Sequence, residues 1–94
     1  VIPGTHRDGP VVHFARRDWQ ICDTHVRTDQ IVACPLPPGG LLLFDGLLHH
    51  GTPMNPTNQR RRALQFHYCP EDAEWGDDDS AKTIFGSKGK DVEC

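Results

Sequence analysis

A histidine and an arginine that could do chemistry together, His50 and Arg61, stand eleven positions apart in the sequence. His50 ends an apolar run, and at a strand end its imidazole could point into the mouth of a barrel. A neutral imidazole nitrogen is the commonest metal ligand that proteins provide. Arg61 follows a polar loop, and its planar guanidinium is suited to holding a carboxylate through two hydrogen bonds. One cavity holding both groups would suit a dicarboxylate that chelates a metal.

Two predicted strands joined by a loop must position this pair. The first strand is predicted at residues 41–50, a short apolar run that follows a Pro-Pro-Gly-Gly turn. Residues 51–59 consist of turn formers and are expected to reverse the chain. The second strand is predicted at residues 61–68, where side chains alternate between two faces. The returning strand would bring Arg61 to the interior that His50 faces.

The remaining segments contain short elements punctuated by proline and glycine. Val1-Ile2 is predicted to end a strand that runs into a Pro-Gly turn. Residues 10–30 show no clean period, so we expect an excursion with at most a short helical or strand turn. Ser80–Phe85 is expected to form a short helix capped by Asp79 or Ser80, with Trp75 and Phe85 pinning it to the body.

Length and composition indicate one small all-β domain that is incomplete. The chain has 94 residues, and its apolar fraction of 36% is low for a self-sufficient core. It starts at Val1, in the middle of a predicted strand, so we expect a fragment, or a gene product cut short at its N-terminus. Several short strands between proline and glycine turns favour a sandwich or jelly roll over an α/β fold.

Charge and cysteine content exclude several classes of partner. The formal net charge is -3 with both signs spread along the chain, which argues against a nucleic-acid partner. No apolar stretch is long enough to span a membrane. The four cysteines are widely separated and form no Cys-x-x-Cys pair, which argues against a structural zinc site. Without a visible signal peptide, we expect free thiols and a cytoplasmic location.

Two segments resemble the phytanoyl-CoA dioxygenase family. The first is similar to the family's C-terminal pattern and consists of two parts. These are residues 36–55, Leu-Pro-Pro-Gly-Gly-Leu-Leu-Leu-Phe-Asp-Gly-Leu-Leu-His-His-Gly-Thr-Pro-Met-Asn, and residues 60–68, Arg-Arg-Arg-Ala-Leu-Gln-Phe-His-Tyr. That pattern is a Pro-Gly turn, an apolar strand, His-Gly-Ser/Thr, an asparagine and an arginine-rich strand. The opening Val-Ile-Pro-Gly-Thr-His-Arg is similar to the family's other recurring segment. The segments occur in the family's order and cover roughly half of the chain.

The resemblance implies a fold, a metal and a co-substrate. The fold is the C-terminal half of a double-stranded β-helix, or jelly roll, which binds Fe(II) through two histidines and one carboxylate. By position, His50 matches the distal metal-binding histidine, and Arg61 matches the residue that binds the far carboxylate of 2-oxoglutarate. Thr52 matches a small hydroxyl that can assist that carboxylate.

The sequence departs from the family at the other two iron ligands, which form a His-x-Asp or His-x-Glu pair upstream of the Pro-Gly-Ser/Thr-His segment. The only such triplet here, His6-Arg7-Asp8, lies inside that segment, where the family has an exit loop. We therefore expect the genuine pair in the absent N-terminal part, and weak iron binding by this chain alone.

Several residues keep alternative interpretations. A register slip of one residue would place Arg60 or Arg62 inward in place of Arg61. His49 should face away from His50 and be structural or exposed. Asp45 is expected to pair with an arginine, because a buried carboxylate needs a partner. Asn55 is expected to form a loop and Trp19 to pack; the roles of three other histidines stay open: His13, His25 and His67.

The sequence thus predicts a dioxygenase that hydroxylates a small organic substrate or an acyl thioester in its full-length form. The alternative is a non-enzymatic jelly-roll binding module, or an inactive fragment, without an iron site. Residues 1–70 would be the jelly-roll part and residues 71–94 a polar tail. The expected partners are a small-molecule substrate and the missing N-terminal half of the same domain.

Overall fold

Two short antiparallel strands and one helix are the regular elements of the part of the chain that the structure describes. The computed structural model describes residues 1–15 and 19–86. Strands β1, His13–Ala15, and β2, Trp19–Ile21, pair antiparallel with Phe14 opposite Gln20. Helix α1 spans Asp78–Phe85. Three single 3-10 turns complete the elements: Thr5–Arg7, Asp23–His25 and Thr28–Gln30.

The excursion at residues 10–30 is more regular than predicted. It contains β1, β2 and two of the 3-10 turns, and these are the only strands among the described residues. Each strand has three residues. A strand this short cannot show an alternation of apolar and polar residues, and this explains why no period was visible.

Residues 41–50 and 61–68 do not form the two strands predicted for them. In the first segment the chain turns after Asp45, whose carbonyl accepts a hydrogen bond from the amide of Leu48 at 3.0 Å. In the second, no backbone amide has a hydrogen-bond partner among the described residues. A strand needs a neighbour to complete its ladder of hydrogen bonds, so alternation alone did not determine the structure. The jelly roll stays a prediction, since one small sheet fits many all-β folds.

The predicted turns form, and polar side chains close them. The amide of Gly40 donates to the Pro37 carbonyl at 2.9 Å, and Gly39 between them has a φ of 83°, which a glycine adopts without strain. Asn55 closes its loop as predicted, because its amide group donates to the Gln59 carbonyl at 2.7 Å. The prediction that Asp45 pairs with an arginine is wrong. Its exposed carboxylate accepts a hydrogen bond from the Leu47 amide at 2.8 Å.

The most buried residues lie near the N-terminus of the chain. Ile2 is 4% exposed and Thr5 is fully buried. Val1 shares two backbone hydrogen bonds with Val32, at 2.8 and 3.0 Å, so residues 31–32 lie beside the opening segment. Gly4, with a φ of 86°, turns the chain between Ile2 and Thr5. The Pro-Gly turn therefore forms as predicted and leads directly into the buried threonine.

Helix α1 is longer than predicted and begins at a different cap. The carboxylate of Asp77 accepts a hydrogen bond from the Ser80 amide at 2.8 Å, so Asp77 is the N-cap. Phe85 packs edge-on against Trp19, with ring centroids 5.2 Å apart. The packing role predicted for Trp19 and Phe85 is therefore confirmed. Trp75 is 98% exposed and does not pin the helix.

The cysteines differ from the expected set of free thiols. Cys34 and Cys69 are free and exposed, but Cys22 is disulfide-bonded. Cys94 lies outside the described residues. Because disulfides persist mainly in oxidising compartments, Cys22 removes the thiol argument for a cytoplasmic location. Within residues 1–15 and 19–86, no helix has the length and apolar character needed to cross a membrane.

The cap of α1 predicts an acid-sensitive helix. Hydrogen bonds from the Ser80 side chain and amide hold the pKa of Asp77 below its ordinary value of 3.8. A carboxyl whose folded pKa is depressed contributes stability above its unfolded pKa, and this contribution is lost as pH falls through the folded value. We therefore expect the Ser80 amide resonance to titrate below pH 3.8, with loss of α1 over the same range.

The matched variants are Asp77→Asn and Asp78→Asn. Asparagine is an equally good N-cap that does not titrate, so Asp77→Asn should remove the acid transition of α1. Asp78→Asn leaves the cap in place and should keep the transition. An unchanged transition in Asp77→Asn would contradict the assignment of the cap.

Candidate functional site

The two sequence segments that carry the family resemblance are in contact in the structure. The amide of Ile2 donates to the His49 carbonyl at 2.9 Å. The amide of His49 donates to the Thr5 hydroxyl oxygen, also at 2.9 Å. That hydroxyl in turn donates to the Ile2 carbonyl at 2.8 Å. The opening segment therefore holds the residue that immediately precedes His50.

His50 is exposed, and one of its ring nitrogens is already engaged. Its Nδ1 lies 2.7 Å from the Leu48 carbonyl oxygen. A carbonyl can only accept, so Nδ1 carries the proton, and a neutral ring then has its lone pair on Nε2. Metal-binding histidines usually donate their second ring N–H to such an acceptor. The Phe44 ring, 4.7 Å from the imidazole between centroids, further limits the orientation of His50.

His13 shows that this local geometry is not unique to His50. The Nδ1 of His13 lies 2.6 Å from the Val11 carbonyl oxygen, and its ring packs 5.2 Å from the Phe85 ring. His13 is therefore a packed strand residue with the same tautomer. What distinguishes His50 is its exposure and its place before Gly51-Thr52.

His49 and His50 face different surroundings, although residues 41–50 form no strand whose alternation would account for it. Both ring nitrogens of His49 are buried and have no hydrogen-bond partner among the described residues. The main chain of His49, in contrast, is bonded on both sides by the opening segment. His49 therefore has a structural position.

Thr52 and Arg61 are both exposed. Neither makes a hydrogen bond or an ion pair with His50 or with the other among the described residues. Their convergence with His50 in one cavity stays a prediction, as does the choice of Arg61 over Arg60 and Arg62.

The carboxylate of the His-x-Asp triplet is engaged elsewhere. Asp8 forms an ion pair with Arg27, which follows the second 3-10 turn. Within the described parts of the chain, no three His, Cys, Asp or Glu side chains come together to hold a metal. These residues therefore fit one position of a facial triad, through His50, and do not make a complete iron site by themselves.

Comparison with known families gives a match to the phytanoyl-CoA dioxygenase family over residues 1–63. The chain belongs to this family. The match contains the opening segment, residues 36–55, the first four residues of the arginine-rich segment and all three predicted site residues. No curated protein and no solved structure matches the chain significantly.

In this member of the phytanoyl-CoA dioxygenase family, Thr5 contacts the main chain beside the predicted metal ligand, and the sequence did not predict this contact. The sequence predicts a turn at Pro3-Gly4 and assigns no contact to the hydroxyl that follows it. The available signal was its position, since a hydroxyl directly after a Pro-Gly turn can bond the carbonyl three residues back, as Thr5 does.

An open groove of about 630 Å³ lies away from these residues, between α1 and the strands. Its walls include the rings of His13, Trp19 and Phe85 and the side chain of Lys82. None of the predicted site residues lines it. The groove therefore belongs to the packing of α1 against β1 and β2.

Proposed function

We propose that this protein is an Fe(II)- and 2-oxoglutarate-dependent dioxygenase that hydroxylates a small organic substrate or an acyl thioester. The observation that carries the proposal is the match of the dioxygenase family to residues 1–63. In this proposal His50 is one iron ligand, and the other two ligands come from the N-terminal half of the domain. The metal, when bound, supplies the oxygen chemistry.

The local geometry of His50 supports its role. A ligand must present a deprotonated nitrogen, and the bond from Nδ1–H to the Leu48 carbonyl leaves Nε2 for that purpose. The exposure of the ring lets a metal reach it. The contacts of His49 with Ile2 and Thr5 fix the main chain one residue before it.

Arg61 and Thr52 would bind the co-substrate. A guanidinium holds a carboxylate by two charge-assisted hydrogen bonds, which fix both its position and its orientation. Arg61 would bind the carboxylate of 2-oxoglutarate that lies away from the metal, and the Thr52 hydroxyl would donate to the same group. Together they would orient the co-substrate toward His50.

A further partner is proposed for the apolar side chains that the structure exposes. Leu64, Phe66 and Tyr68 alternate along residues 61–68 and are all largely exposed. Large apolar side chains exposed this close together in the sequence suit an interface. We propose that strands of the N-terminal half pair with this segment and cover these side chains, which would restore the predicted jelly roll.

Removal of the proposed iron ligand should abolish iron binding. We expect full-length protein with His50→Ala to bind little Fe(II) and to produce no succinate from 2-oxoglutarate, because one of three ligands is lost. Iron content and succinate formation are the measurements. Asp8→Asn is the matched control, since Asp8 is paired with Arg27 and should not hold iron. Normal iron content in His50→Ala, or no iron in the unaltered protein, would favour the binding module.

Replacement of Arg61 should weaken the binding of 2-oxoglutarate without weakening the binding of Fe(II). A lost hydrogen bond to a charged group is worth about 1.5–3 kcal/mol, so Arg61→Ala should raise the KM for 2-oxoglutarate roughly 10- to 100-fold. Fe(II) affinity should stay near that of the unaltered protein. Arg60→Ala and Arg62→Ala are the matched controls. A large rise in KM in either of these, with little in Arg61→Ala, would show the alternative register.

If the N-terminal half covers one face of residues 61–68, substitutions on that face should lower the free energy of unfolding more than substitutions on the other face. Phe66→Ala should destabilise the full-length protein by about 3–5 kcal/mol, because a buried aromatic side chain is lost. Gln65→Ala, on the other face, should change stability by less than about 0.5 kcal/mol. Denaturant unfolding measures both. Equal, small effects of the two substitutions would contradict the proposed cover.

A further inference from the structure

The Thr5 hydroxyl joins two segments that are far apart in the sequence. Thr5 is fully buried, with 0% of its surface exposed. Its oxygen accepts from the His49 amide at 2.9 Å, across a separation of 44 residues, and its proton goes to the Ile2 carbonyl at 2.8 Å. A hydroxyl can donate and accept at once, and this position uses both abilities.

A side chain without a hydroxyl would leave the His49 amide unpaired at this point, whereas the Ile2 carbonyl would keep its hydrogen bond from the Thr5 amide at 3.5 Å. Buried amides and carbonyls are almost always hydrogen-bonded, and an unpaired one destabilises its local arrangement. The His49 amide has no other partner among the described residues. The bond from the Ile2 amide to the His49 carbonyl, at 2.9 Å, would remain and hold only one side of the peptide.

We propose that Thr5 is a positioning residue for His50. It fixes the peptide that precedes His50, while the Leu48 carbonyl and the Phe44 ring fix the imidazole. Thr5 acts through the main chain and touches neither metal nor substrate. This inference rests on the proposed role of His50 as an iron ligand. It adds Thr5 to the residues proposed to bind the metal and the co-substrate, as one that acts through the main chain of His49.

The test compares Thr5→Val with Thr5→Ser in the full-length protein. Valine keeps the shape of threonine and removes the hydroxyl, whereas serine keeps the hydroxyl and removes a methyl group. We expect Thr5→Val to weaken Fe(II) affinity by about 10- to 100-fold, the range found when groups that orient metal ligands are removed. Thr5→Ser should restore most of that affinity. At saturating Fe(II), the KM for 2-oxoglutarate should be unchanged in both variants.

Ile2→Val is the matched control for general loosening of the same core, because Ile2 is 4% exposed and its main-chain bonds do not depend on its side chain. It should leave Fe(II) affinity unchanged. A folded Thr5→Val protein with unaltered Fe(II) affinity would overturn the proposal. If Thr5→Val does not fold, Thr5→Cys takes its place, since a thiol is a weak donor and acceptor. Thr5→Cys with the affinity of Thr5→Ser would also overturn it.

Amide hydrogen exchange at His49 separates this inference from the proposed function. Without bound metal, exchange at this amide should be faster in Thr5→Val than in Thr5→Ser and Ile2→Val. If His50→Ala leaves Fe(II) affinity intact, the role of His50 as a ligand fails, but exchange still tests the contact. If exchange at His49 is equal in Thr5→Val and Thr5→Ser, the positioning role fails whatever His50 does.

Discussion

The buried hydroxyl of Thr5 joins the two segments around the proposed iron ligand. The hydrogen bonds of Thr5 to the main chain of Ile2 and His49 join the opening segment to the histidine pair. Thr5 is fully buried and Ile2 is 4% exposed, so the hydrogen bond between them faces weak competition from solvent. The family's two recurring segments are therefore neighbours in space through their main chains. The remaining contacts of the region, including those of Val1 with Val32, extend this junction.

The local features of the fold could be predicted from sequence, but the pairing of distant segments could not. The Pro-Gly turns and the Asn55 loop depend on residues within four positions of each other, and they form as expected. The helix near the C-terminus was predicted, but with Asp79 or Ser80 as its cap. Geometry selected Asp77, because the Ncap side chain bonds the amide three residues later. The contact of Phe85 with Trp19 joins positions that no local pattern relates.

The strands at residues 41–50 and 61–68 were predicted from alternation and turns, and the structure contains neither. Alternation tells which side chains share a face, but it carries no information about the neighbouring strand. Residue type and spacing indicated His50 and Arg61 as candidates, the family resemblance supplied their expected roles, and those roles stay predictions. The contact of Thr5 with His49 could not be predicted from the sequence, because its partner is an amide 44 residues away. A short hydroxyl side chain looks the same in a sequence whether it closes a turn or connects two segments.

The uncovered segment at residues 61–68 has a consequence for how the chain behaves in concentrated solution. Its amides are unpaired among the described residues, and every second side chain from Leu64 to Tyr68 is large and apolar. A segment with unpaired amides and alternating apolar side chains can form β-pairs with an identical copy. The isolated 94-residue chain should therefore self-associate through this segment. The basic run Arg60-Arg61-Arg62 at its start acts against such aggregation, since stacked copies would bring like charges together.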